Sequence, residues 1–229
     1  MVNEEVTVAL VGASESVIPS ASAAGAFTLR SSTFSLGAEL LYDSRDDPVN
    51  PTGGGRFRTD YLYGRKKVSE VPAGYPAPVD ANSSVGRLTV DADLFLETFA
   101  RQVFALGIHG RELTGDPTDE AQMYRFGGAR TLRGYRENQF VGTRLAWTNV
   151  EYRFLLARRS FLFGFFDAGY YLRPEDPVRG NPLVEEFKPG YGVGLLVDTP
   201  LGVMSVSFAL GEGDSFSQGK VHVGILNEF

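Results

Sequence analysis

Between residues 86 and 98 the chain alternates with a period of two. Leu88, Val90, Ala92, Leu94 and Leu96 fall in one phase, and Arg87, Thr89, Asp91, Asp93, Phe95 and Glu97 in the other. On a strand, successive side chains point to opposite faces, so this segment has one wholly apolar face and one mostly charged face. Wound as a helix, the same residues would scatter charge all round the axis. The segment therefore reads as a strand whose two faces meet different media.

The pattern recurs along the chain. In 56–63, Phe57, Thr59, Tyr61 and Tyr63 oppose Arg56, Arg58 and Asp60; in 103–111, Phe104, Leu106 and Ile108 oppose Ala105, Gly107, His109 and Arg111. In 144–154, Ala146, Val150, Tyr152 and Phe154 oppose Asn149, Glu151 and Arg153; 203–210 and 221–229 behave alike. Weaker strands fit 27–43, 161–171 and 190–199, and a short one fits 4–11. The 27 Gly, 17 Phe and 10 Tyr among 229 residues agree with many strands and turns. The count is about ten strands, each near the ~9–11 residues of a tilted membrane strand.

Connections also alternate. Ala157–Ser160 and Thr199–Gly202 are tight, whereas 12–25, 66–84, 112–143, 172–188 and 211–219 are long and polar. An up-and-down barrel with turns on one side of a membrane and loops on the other has this property. No linker or low-complexity tract divides the chain, so 1–229 reads as one barrel domain with 112–143 as a plug-like loop.

The faces are assigned by their chemistry. The polar phase carries both signs densely (Arg87, Asp91, Asp93, Glu97), as an enclosed hydrated lumen requires. The apolar phase includes Tyr42, Tyr61, Tyr63, Tyr152 and Tyr170, suited to the aromatic girdles of a lipid-facing wall. The expected fold is thus an all-β, antiparallel, up-and-down transmembrane β-barrel. The competing fold is a soluble β-sandwich or lipocalin-like barrel with its apolar faces inward. Phe229, closing an alternating last strand, has the terminal pattern of bacterial outer-membrane barrels. No run approaches the ~18 apolar residues of a membrane helix.

Several chemistries are excluded or disfavoured. There is no cysteine and there are two histidines, His109 and His222, in separate strands without ligand-like spacing, so neither a metal nor a cofactor is expected. A formal charge of −6 argues against nucleic acid as a partner. No Gly-x-Ser-x-Gly elbow, phosphate loop or catalytic constellation occurs, so an enzyme is not expected. Asp91, Asp93 and Glu97 either line a cation-favouring pore or pair with Arg58, Arg87 and Arg111 in a salt-bridged lumen. Met1–Glu5 has no basic n-region and no apolar h-region, as in a cytoplasmic, mature or recombinant start.

Residues 124–140 read YRFGGARTLRGYRENQF. Gly127-Gly128, a short spacer and Arg133-Gly134-Tyr135 resemble the signature loop of the bacterial surface-antigen superfamily, which comprises outer-membrane barrel-assembly factors and two-partner-secretion transporters. Other pieces follow in that family's order: Tyr42–Asp46 with Pro51 and Gly53–Gly55, Phe165–Gly169, Gly192 and Gly194, Thr199–Gly202 and Phe229. The resemblance covers roughly residues 26–229. It implies that the loop folds back into the barrel and that Arg133 meets acidic groups on the inner wall. Glu151 and Asp167 lie in the polar phases of neighbouring strands and are the expected partners, with Gly169 beside them. Gly134 would allow a tight turn and Tyr135 would wedge against the wall. For Tyr42–Gly55 the simpler reading is a capped turn.

The resemblance implies a bacterial outer-membrane location, lipid and an unfolded or translocating polypeptide as partners, and a part in protein insertion or translocation. The family's polypeptide-transport-associated repeats have no counterpart in this sequence, which corresponds to the C-terminal half to two-thirds of a family barrel. That leaves three alternatives open: closure of about ten strands in one chain, closure of two copies with about eight strands each, and a passive pore or membrane anchor of a larger protein such as a patatin-type lipase.

Overall fold

The computed structural model describes residues 4–19, 28–73, 75, 78–115, 120–200 and 202–226. It contains β1 (Glu5–Val17), β2 (Arg30–Asp43), β3 (Gly54–Glu70), β4 (Asn82–Phe99), β5 (Gln102–Gly115), β8 (Arg144–Ala157), β9 (Ser160–Arg173), β10 (Val184–Thr199), β11 (Gly202–Gly211) and β12 (Lys220–Leu226). These form one 10-stranded sheet in the order β1-β2-β3-β4-β5-β8-β9-β10-β11-β12, and every ladder is antiparallel. Two short strands, β6 (Tyr124–Phe126) and β7 (Phe140–Gly142), pair as a separate hairpin within the loop between β5 and β8. Ten strands, rather than about eight, belong to a single chain because residues 5–17 form β1. Among the described residues β1 and β12 end the order without a ladder between them. Phe229 lies outside the described residues.

The connections sort by side. The strand ends that lead from β1 to β2, β3 to β4, β5 to β8, β9 to β10 and β11 to β12 lie at one rim; those that lead from β2 to β3, β4 to β5, β8 to β9 and β10 to β11 lie at the other. The strands reach further into the long-loop rim than alternation predicts. β1 continues to Val17, β3 to Glu70 and β5 to Gly115, and β10 begins at Val184, so the connections 12–25, 66–84, 112–143 and 172–188 are shorter than their polarity implied. Beyond the apolar band the outer face meets water and the inner face packs on the polar loop, where Lys66 is buried against Gln122, so Arg65-Lys66-Lys67 loses the apolar phase while keeping its ladder.

The outward phase is apolar and open. Leu94 and Leu96 are 42% and 48% exposed. On β9, Phe166 is 48% exposed while Phe163 is 6% exposed. Apolar side chains displayed in rows, with the charged phase enclosed, contradict a sandwich core and match a wall bathed in lipid.

The sheet curves around its own loop. Gln122 meets β3 through Lys66 (2.6 Å) and β4 through its carbonyl, which accepts from Arg87 Nη1 (3.2 Å). The same loop reaches β9 through Arg133 and β12 through Gly134. One loop touching strands so far apart in the order fixes an enclosed lumen. That lumen is salt-bridged: Arg58 pairs with Glu39 (2.6 Å), Arg111 with Asp91 (2.9 Å) and Arg87 with Glu15 (2.8 Å). Glu97 instead lies exposed near the short-turn rim.

Residues 44–53 are more than a capped turn. Asp46 does cap it, accepting from the Thr52 and Gly53 amides at 2.8 and 3.2 Å. The turn also crosses the floor of the barrel. Val49 packs against the cluster around Phe161 and Phe163, and buried Asn50 donates Nδ2 to the Arg158 carbonyl at 2.8 Å.

Candidate functional site

The motif loop descends into the lumen as a small folded body. Phe126, Leu132, Tyr135 and Phe140 from the loop pack with Leu145, Trp147 and Tyr171 from β8 and β9. Rings interlock at 5.0 Å for Tyr135–Phe140 and for Phe140–Tyr171, close to the separations preferred by tilted aromatic pairs. Burying these rings gives a polar loop its own core, which holds the backbone of 127–135 in place.

Within that body the glycines serve the turns. Gly127 and Gly128 have φ of 109° and 102°, and Gly134 has 94°, a region that side-chain-bearing residues rarely occupy. At Gly134 a Cβ would also stand 2.6 Å from the Leu210 carbonyl oxygen, so the loop can approach β11 only because that atom is missing. The Gly127 amide donates to Thr131 Oγ1 (2.9 Å) and the Ala129 amide to Glu137 Oε1 (2.6 Å), which stitches the turn together.

Arg133 is the anchor. It is 6% exposed, and Asp167 beneath it is 0% exposed. Arg133 Nε donates to Asp167 Oδ2 at 2.8 Å and Nη2 to Oδ1 at 2.7 Å, a bidentate fork. Its backbone amide donates to the same Oδ2 at 3.0 Å. Nη1 donates to Glu151 Oε1 at 2.6 Å. Register explains how two carboxylates serve one cation: Asp167 lies opposite Asn149 and Glu151 opposite Phe165, so the acids are diagonal neighbours on adjacent strands. The guanidinium stacks 3.7 Å from the Phe165 ring centroid.

The remaining residues of the motif tie the loop to other strands. Tyr135 Oη donates to the Pro189 carbonyl (2.8 Å) and accepts from the Glu212 amide (2.9 Å), so it bridges β10 and the β11–β12 loop. Gly169 leaves the space that the Phe126 and Leu132 side chains occupy; a Cβ there would sit 2.6 Å from Phe126 Cε2.

Alternation alone misses several participants. Arg153 pairs with the other oxygen of Glu151 at 2.8 Å, so the carboxylate is shared. Asn149 Nδ2 holds the Thr131 carbonyl (2.8 Å), and His222 Nε2 accepts the Gly134 amide (3.2 Å). Asn149 and Arg153 share the inward phase of β8 with Glu151, which is the signal that could have found them. His222 has no such signal, because its distance from Gly134 in sequence hides the contact.

A model of the Omp85 superfamily domain matches residues 13–229. Outer envelope protein 39 of Arabidopsis thaliana chloroplasts is 30% identical over 123 residues, covering 52% of this chain and 33% of that protein. The crystal structure of BamA from Haemophilus ducreyi lacking POTRA domains 1–3 has a TM-score of 0.52 to this chain and 14% identity, covering 94% of this chain and 57% of that one. The second likeness shows a shared barrel fold. The chain thus spans 33% of the length of its curated relative and 57% of the solved barrel. With its ordered motifs, its ten-stranded wall and a family model matched over most of its length, the chain belongs to the Omp85 superfamily, the surface-antigen barrels of outer membranes.

Proposed function

We propose that this chain is a non-enzymatic bacterial outer-membrane barrel that takes part in inserting proteins into the membrane or in moving polypeptide across it, with the loop around Arg133 as its lumenal plug. The observation that carries the reading is the Arg133 fork on Asp167, which ties the family loop to the inner wall. Client polypeptide and outer-membrane lipid are its partners. Liposomes containing the chain should speed the insertion of an unfolded barrel client over empty liposomes. Equal rates in the two preparations refute the insertion role.

A second reading, a gated pore, rests on the lumenal cavities. Spaces of ≈ 250 and ≈ 380 Å³ both border Arg130, so the plug leaves lumenal volume unfilled on two sides of this side chain. Planar-bilayer recordings test it: wild type stays closed, and Arg133→Ala conducts. Absence of current through that variant removes the gated-pore reading.

A further inference from the structure

Three cavities meet at one side chain, Arg130, at the tip of the plug. The ≈ 250 Å³ space below it is lined by Asp93, Glu151 and Arg153; the ≈ 380 Å³ space above it by Arg56, Arg125 and Trp147. A third space of ≈ 450 Å³ opens toward His222 and Ser207. Other lumenal arginines are neutralised, since Arg58, Arg87, Arg111, Arg133 and Arg153 each hold a carboxylate within 2.9 Å. Arg130 and Arg125 have no carboxylate partner among the described residues. Arg56 has buried Nε without a hydrogen-bond partner, and its nearest carboxylate oxygen, on Asp43, is 4.0 Å away.

We infer that the ≈ 380 Å³ cavity is a binding site for a small phosphate-type oxyanion, held by Arg130, Arg125 and Arg56. Its lining has four guanidiniums, those of Arg56, Arg111, Arg125 and Arg130, against the two carboxylates of Asp91 and Asp93. Asp91 is already engaged by Arg111 and by His109 (2.8 Å), and Asp93 lies opposite Arg56 in the ladder and offsets one charge, so the surplus positive charge is shared by Arg56, Arg125 and Arg130, which keep unused donors. A guanidinium presents paired N–H groups that match phosphate oxygens.

Geometry selects the class of ligand. The cavity faces the interior of the sheet, whereas acyl chains lie against the outward rows, so a lipid cannot bring its phosphate there without leaving the bilayer. A volume near the low end of the ~300–1,000 Å³ range of small-molecule sites suits an inorganic phosphate or a compact phosphomonoester. A polypeptide cannot fit while the loop is seated. Trp147, with Arg111 stacked 5.0 Å from its ring centroid, supplies a rigid aromatic floor.

Titration calorimetry on the whole chain in nanodiscs tests the site, with inorganic phosphate as the probe in a buffer free of other oxyanions. Wild type should bind saturably, with equal affinity in zwitterionic and anionic nanodiscs. Arg130→Gln and Arg125→Gln should each weaken binding by about tenfold or more. Arg136→Gln, on the exposed loop surface, should leave it unchanged. Unaltered heat-modifiable migration of the variants shows that the barrel is intact. No saturable binding by wild type at millimolar phosphate, or undiminished binding by Arg130→Gln, overturns the site. Competition by anionic lipid, or tighter binding of a short acidic peptide than of phosphate, overturns the assignment to a small soluble anion.

Discussion

Asp167 accepts three hydrogen bonds from a single residue, Arg133: two from its guanidinium and one from its backbone amide. The carboxylate therefore fixes both the charge and the course of the loop. Asp167→Asn keeps the shape but leaves Arg133 with only part of its compensation in a buried site. It should destabilise the barrel by roughly 3–5 kcal/mol, read as a lower urea midpoint for unfolding from lipid vesicles. Arg133→Lys should not restore stability, because an ammonium cannot span both Asp167 oxygens and reach Glu151.

Glu151 divides its two oxygens between Arg133 (2.6 Å) and Arg153 (2.8 Å). Its neutralisation and that of Arg153 should therefore be non-additive. In a double-mutant cycle of Glu151→Gln and Arg153→Gln, the combined cost should differ from the sum by ~0.5–3 kcal/mol. Strict additivity shows that the shared carboxylate is not a network.

The space kept by Gly169 is filled by Phe126 and by Leu132, whose Cδ2 would lie 3.0 Å from an added Cβ. Gly169→Leu overfills it, at a cost of about 1–3 kcal/mol, and pushes the plug off the wall. Trypsin should then cut after Arg125 and Arg130 faster than in wild type. Unchanged cleavage shows that the plug does not depend on this contact.

How far the sequence discloses these relationships depends on the range of each interaction. Alternation is a local signal and locates every long strand core, including the inward placement of Asp167 with Phe161, Phe163 and Phe165. It fails beyond the apolar band: the start of 66–84 and the end of 172–188 read as loop because the outer face there meets water while the inner face packs on the plug, as Lys66 and Val184 do, so no lipid-facing apolar phase remains. Arg133, Glu151 and Asp167 are legible because a family motif supplies the long-range contact and strand phase supplies the partners. Asn50 with Arg158, and Gly134 with His222, join residues far apart through backbone groups. Since every residue type carries those groups, side-chain identity announces neither contact.

The floor turn offers a clean test of one such hidden contact. Asn50→Ala removes the hydrogen bond to the Arg158 carbonyl and should cost about 1 kcal/mol. Unfolding in urea followed in the same vesicles measures it. A variant indistinguishable from wild type shows that the turn merely lies against the opening.

In the β11–β12 loop, the hydrogen bond from Lys220 Nζ at 2.5 Å holds the Asp214 carboxyl below the usual aspartate range. A depressed folded-state value means that this contact stabilises the loop above pH ~3.9, the value of an unperturbed aspartate, and is lost as pH falls through the folded-state value. A carboxyl-carbon NMR titration should give a midpoint below ~3.9. A midpoint at or above that value contradicts the pairing.

The wall is uneven in height. β4 has 18 residues and β11 has 10. At ~3.3 Å per residue and a tilt near 40°, they rise about 45 and 25 Å, against an apolar band of about 25 Å. The β3–β5 flank is thus a parapet and the β11–β12 flank a low sill. Anything arriving from the aqueous phase strikes the parapet first and has its shortest approach across the sill, directly over His222 and the glycine that leans on it.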